Sequence, residues 1–134
     1  MLTGWQVILV LKVAVATVTL LFLASFVPLA RGNYRMHGRI NMAFAILTLG
    51  ALLGLEALVR LIDPEIFDYF DEAARRALTI HLCFSVPAAV ILPAMLFSGL
   101  THRRWLHLRL ASLFGFLWTG TVLTGLFLLP HTPP

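Results

Sequence analysis

The chain has 134 residues, of which 60% are hydrophobic and only 12% charged. That excludes an ordinary soluble domain, which needs far more polar surface to cover its core. The net charge of +4 does not point to nucleic acid, because the arginines gather beside long apolar stretches, as they do at membrane-span ends.

Four such stretches run through residues 5–26, 40–59, 78–100 and 108–129. Each approaches the roughly 20 residues that a helix needs to cross a bilayer. In hydrocarbon the backbone must satisfy its own hydrogen bonds, so the stretches are expected to be helices, and no alternating pattern of a membrane barrel is present. The expected fold is an all-α membrane protein: one domain over 1–134, a bundle of four transmembrane helices. The first stretch lacks a basic leader and a small-residue cleavage site, so it is expected to stay as a span. Cys83 is the single cysteine, which leaves no disulfide framework and no paired-thiol metal motif.

Arg31, Arg35 and Arg39 mark the connection between the first two spans. Arg103, Arg104 and Arg109 mark the one between the last two. The middle connection holds Asp63, Glu65, Asp68, Asp71 and Glu72 with Arg60, Arg75 and Arg76. Six basic residues against three place the first and third connections in the cytoplasm and both termini outside. Asp63-Pro64-Glu65 reads as a helix start, followed by apolar residues at helical spacing. A short amphipathic interfacial helix is expected over about 64–77.

A shift of 70 residues superposes His37 on His107, Arg39 on Arg109 and Gly50 on Gly120. Two readings stand: a pair of repeated hairpins related by an axis along the membrane normal, or a coincidence of apolar composition. Under the first, His37 and His107 sit at one depth at the inner ends of equivalent helices.

Ionisable groups within spans are costly and mark candidate sites. Lys12 and Glu56 lie at similar depth near the outer side, and an ion pair between them is the plain reading. The alternative makes Glu56 a protonatable carboxylate beside His81, with Arg60 and His131 near it. Histidine binds metals and haem iron, so His37 with His107 inside, and His81 with His131 outside, are candidate ligand pairs. The opposing reading has His37 and His107 as headgroup-level anchors and His131 in a loose terminus. Trp5, Trp105 and Trp118 fit an aromatic belt or helix packing. No phosphate-binding loop or acyl-transfer triad is visible, so an enzyme is not expected.

The last span reads His107, Arg109, Trp118, then Thr124-Gly125. The second opens His37-Gly38-Arg39, and the third opens with His81 and contains Pro93. From His37 onward this resembles the bacterial membrane family called domain of unknown function 420. That family includes a small four-helix protein needed for maturation of haem-copper terminal oxidases in Gram-positive bacteria. The resemblance implies a bacterial cytoplasmic-membrane accessory protein for oxidase assembly, partnered by the bilayer and a terminal oxidase or another respiratory complex. It marks His37, His81 and His107 as cofactor or metal residues, for haem b or copper, together with Arg39, Arg109 and Trp118. Family members commonly carry a further histidine near the outer end of the second span. Here that region reads Glu56-Ala57-Leu58-Val59-Arg60, so Glu56 either substitutes as a ligand or the site is absent. Two other functions stay open: a small b-type cytochrome or quinone-linked subunit, and a structural subunit of a larger membrane complex.

Overall fold

The computed structural model describes residues 2–134. It is all-helical. Helix α1 spans Gly4–Ala24 and continues, after a break at Ser25, into the short α2, Phe26–Ala30. The break has a local cause: Pro28 has no N–H to offer the carbonyl four residues earlier, at Ala24. Helix α3 covers Tyr34–Ala57 and ends in a π-helical turn, Leu58–Ile62. Helix α4 covers Glu72–Leu100 and runs through Pro87 and Pro93, and α5 covers Arg104–Phe127.

Four segments are long and apolar enough to cross a membrane: Gly4–Ala30, Tyr34–Ile62, Glu72–Leu100 and Arg104–Phe127. They start up to six residues before the apolar stretches of the sequence, because backbone hydrogen bonding includes the polar residues at the helix starts, and the fourth ends two residues short of its stretch. Of each apolar window, only 11–28% is buried inside the bundle. The remaining surface is apolar and outward-facing, as a bundle solvated by lipid requires.

Around the bundle, α1 packs on α3 and α5, and α4 packs on α3 and α5. The centre is aromatic. Phe44, Phe114 and Leu92 are fully buried, and Trp118 nearly so. The Phe44 ring stands edge-on to Phe114 at 6.0 Å and edge-on to Trp118 at 5.1 Å. Trp118 stacks on Phe114 at 5.7 Å, and its indole N–H donates to the Thr19 hydroxyl at 3.1 Å, tying α5 to α1. Trp118 is thus a core residue and no part of an interfacial belt.

The connections α2–α3 and α4–α5 have the same backbone course at a constant shift of 70 residues. Arg31 and Thr101 have φ, ψ of −87°, 2° and −89°, 9°; Asn33 and Arg103 have −87°, 75° and −84°, 76°. Between them, Gly32 and His102 take positive φ, 75° and 56°. The N–H of Asn33 bonds the Pro28 carbonyl at 2.8 Å, and that of Arg103 bonds the Ser98 carbonyl at 3.0 Å. Each is the six-residue helix stop with a left-handed residue before the last donor. Glycine takes that conformation freely and histidine is among the residues that tolerate it. The fully buried Phe44 and Phe114 obey the same shift.

The middle connection differs from the expected helix over 64–77. Residues 64–69 form consecutive turns, and helix begins only at Glu72, where the Asp71 carboxylate caps the Ala74 N–H at 2.8 Å. The Asp63-Pro64 start is overridden by packing. Ile66 and Phe70 turn inward, and Phe70 joins Ile8 and Leu129 in a second small core. Gly4 allows this approach, since a Cβ there would strike the Ile66 carbonyl and the Tyr69 ring. Burial pushes the Tyr69 phenol above its usual range, and its hydroxyl is enclosed without a partner.

Glycines equivalent in sequence are not equivalent in packing. A Cβ on Gly120 would strike the Phe84 ring, whereas one on Gly50 meets open space. Gly120→Ala should therefore lower the thermal midpoint of the detergent-solubilised protein. Gly50→Ala should leave it unchanged or raise it, by up to the roughly 1 kcal/mol that alanine gains over glycine in a helix.

Candidate functional site

The bundle has a basic end, around residues 31–39 and 101–109, and an acidic end, around Glu56, residues 63–72 and both termini. The ionisable side chains that enter the spans do so at these two ends.

At the acidic end, Lys12 does not pair with Glu56. Its ammonium donates to the carbonyls of Leu126 at 2.8 Å and Leu129 at 2.6 Å, and to His131 Nδ1 at 2.9 Å. An ammonium has three donors and no acceptor, so these three contacts complete it and make His131 Nδ1 an acceptor. The carbonyls are those left spare where α5 ends, the negative end of its dipole. The cation thus holds the segment after α5 against α1, and His131 is engaged with it. Glu56 bonds Arg60, one turn on, and both are substantially exposed. Exposed pairs of this kind contribute little.

His81 faces α5. Its Nδ1 lies 2.9 Å from the Thr124 hydroxyl, which itself donates to the Gly120 carbonyl at 2.7 Å. We assign the hydroxyl's proton to the Gly120 carbonyl, its shortest contact, which makes the hydroxyl accept from His81 and puts the ring hydrogen on Nδ1. The ring lies close over Gly125, where an added Cβ would come within 3.0 Å of it.

At the basic end, His37 Nδ1 donates to the Ser25 carbonyl at 2.8 Å, and His107 Nδ1 donates to the Met95 carbonyl at 3.0 Å. Donor and acceptor are twelve residues apart in both hairpins, so the shift of 70 extends to this bond. His107 packs over Gly99 as His81 does over Gly125, and lies 3.4 Å from the Ser98 hydroxyl. The amide nitrogen of Asn41, a residue the sequence reading passed over, donates to the His37 carbonyl at 3.0 Å. It also lies 3.2 and 3.3 Å from the two ring nitrogens, so it stands over the ring face and in line with neither. Arg39 and Arg109 are exposed at this end.

The three histidines share one arrangement. Each gives its Nδ1 hydrogen to an oxygen of a packed neighbour, and each keeps an Nε2 lone pair without an in-line donor. Histidines that bind metals are commonly held this way by an outer partner. His81 stands apart from the other two. His81 lies opposite Gly125 and His107 opposite Gly99; 18 residues of α4 separate those levels, about 27 Å at 1.5 Å per residue. His37 and His107 share an end, but each is turned onto its own hairpin. Among the described residues no group of three or more His, Cys, Asp or Glu side chains comes together that could hold a metal ion.

Replacing Lys12 by Met should uncap the end of α5. Faster amide hydrogen exchange over residues 126–131, with α3 unchanged, is the expected result, and the loss should be about 1–3 kcal/mol for carbonyls left without a donor.

Comparison with family models, with curated proteins and with solved structures finds no match for this chain.

Proposed function

We propose that this protein is a non-enzymatic accessory factor of a bacterial cytoplasmic membrane, acting in assembly or maturation of a respiratory haem-copper oxidase. The observation that carries the reading is the state of His37, His81 and His107: each oriented through Nδ1 onto its own oxygen and free at Nε2. A six-coordinate haem held by this chain alone needs two of these imidazoles facing one iron. Single oriented imidazoles suit a protein that holds haem or copper only while a partner supplies the remaining ligands. The resemblance of His37 onward to the domain of unknown function 420 family supplies the oxidase as that partner.

In this reading the four helices cross the membrane as two repeated hairpins. Support comes from the constant shift of 70 shared by the connections, by Phe44 and Phe114, and by the bonds of His37 and His107. The basic end lies in the cytoplasm, and the acidic end with both termini lies outside.

The competing cytochrome reading requires His37 and His107 to clasp one haem. Their imidazoles would have to leave the Ser25 and Met95 carbonyls or swing together around them. The purified protein should therefore show no b-type bands in a dithionite-reduced minus oxidised spectrum. Deleting its gene should lower terminal-oxidase activity, and a His107→Ala copy should fail to restore it while a Glu56→Gln copy succeeds. Bands that vanish in His37→Ala would establish the cytochrome instead.

A further inference from the structure

All six carboxylates of the chain lie at the acidic end, at Glu56, Asp63, Glu65, Asp68, Asp71 and Glu72. The arginines there are engaged within the chain: Arg60 with Glu56, Arg76 with Glu72 at 3.1 Å, and Arg75 with the Phe70 carbonyl at 3.1 Å. At the basic end the pattern reverses. Among the described residues, no guanidinium of Arg31, Arg35, Arg39, Arg103, Arg104 or Arg109 bonds an acceptor of the chain. Six cations at one level of an apolar bundle thus lack an internal counter-charge.

One of them borders a groove. Val27, Pro28, Arg31, Asn33, Met36 and Ile40 line a cleft of about 440 Å³ between α2 and the start of α3. Val27 and Met36 are 53% and 42% exposed, so the cleft opens on the outer, lipid-facing side of the bundle. Its polar residues sit together at the connection, and the others form an apolar wall. The Asn33 carbonyl oxygen caps the Met36 N–H at 3.1 Å, which leaves its amide N–H groups free. A guanidinium and an amide above an apolar wall match a phosphate above an acyl chain. The second hairpin differs here, with Arg103 in place of Asn33. Shifted by 70, Val27 becomes the bulkier Phe97, and Arg31 becomes Thr101, whose hydroxyl turns inward to the Phe97 carbonyl at 2.9 Å.

We infer that this groove binds one anionic phospholipid, its phosphate at Arg31 and Asn33 and an acyl chain along Val27, Met36 and Ile40. Basic pockets between membrane helices on the cytoplasmic side take such head groups. The site rests on the membrane reading alone and stands whether or not the protein serves an oxidase.

The test is native mass spectrometry of the full chain released from micelles holding equal phosphatidylglycerol and phosphatidylcholine. Wild type should retain phosphatidylglycerol preferentially. Arg31→Gln should lower that retention about fivefold, the effect of one interfacial cation on an anionic lipid. Ile40→Trp, which fills the groove and keeps every charge, should lower it as well. Arg104→Gln, the same charge loss outside the groove, should not, and inorganic phosphate should not displace the lipid. Unchanged retention in either groove variant, an equal loss in Arg104→Gln, or displacement by phosphate alone overturns the inference.

Discussion

A backbone carbonyl within hydrocarbon has no water to bond, and helix ends and breaks leave several such carbonyls spare. The long polar side chains of this bundle tie themselves to oxygens of a packed neighbour, and Lys12 does so at such an end. Lys12 takes two left at the end of α5, while His37 bonds the Ser25 carbonyl beside the α1–α2 break and His107 bonds the Met95 carbonyl inside α4, which also serves the Ser98 hydroxyl at 2.7 Å. Each of these donors bridges two helices, so each supplies a link that apolar packing in lipid does not. What looks in the sequence like a set of costly ionisable residues is, in the fold, a set of cross-helix fasteners.

The same bonds govern the chemistry. Giving up the Nδ1 hydrogen to a fixed oxygen selects one tautomer and one ring orientation, and it leaves Nε2 as the free position. Each imidazole has its own oxygen, with His37 and His107 at one end of the bundle and His81 at the other. A bundle that positions ligands singly is suited to sharing a cofactor with a second protein, and this is why the accessory reading is preferred over an internal redox centre. The unpartnered arginines of the basic end point outward in the same sense, toward a counter-charge that the chain does not contain.

Much of this was legible in the residues. The four apolar stretches located the helices because length and hydropathy leave few alternatives in lipid. The recurrence of His-x-Arg at a shift of 70 located the two connections whose backbone geometry is the same. The partners of Lys12 were not legible, since a carbonyl is present at every residue and its availability depends on where α5 ends. Matching depth suggested Glu56, but depth says nothing of which helix face a side chain occupies, and Glu56 faces outward to Arg60. The Asp63-Pro64 helix start failed because Ile66 and Phe70 gain more by burial toward α1 than by lying along an interface. Thr124, Ser25 and Met95 carry no sign of their role in the sequence: a hydroxyl and two carbonyls become acceptors only once the neighbouring helix supplies a histidine.

The claim on which the account turns is that His37, His81 and His107 each donate through Nδ1 and leave Nε2 free. Nitrogen-15 NMR of histidine-labelled protein in lipid nanodiscs at neutral pH reads this directly. The account predicts that each of the three signals, assigned by single His→Gln variants, shows a protonated Nδ1 and a bare Nε2. Signals from His37, His81 or His107 showing the hydrogen on Nε2 would contradict it.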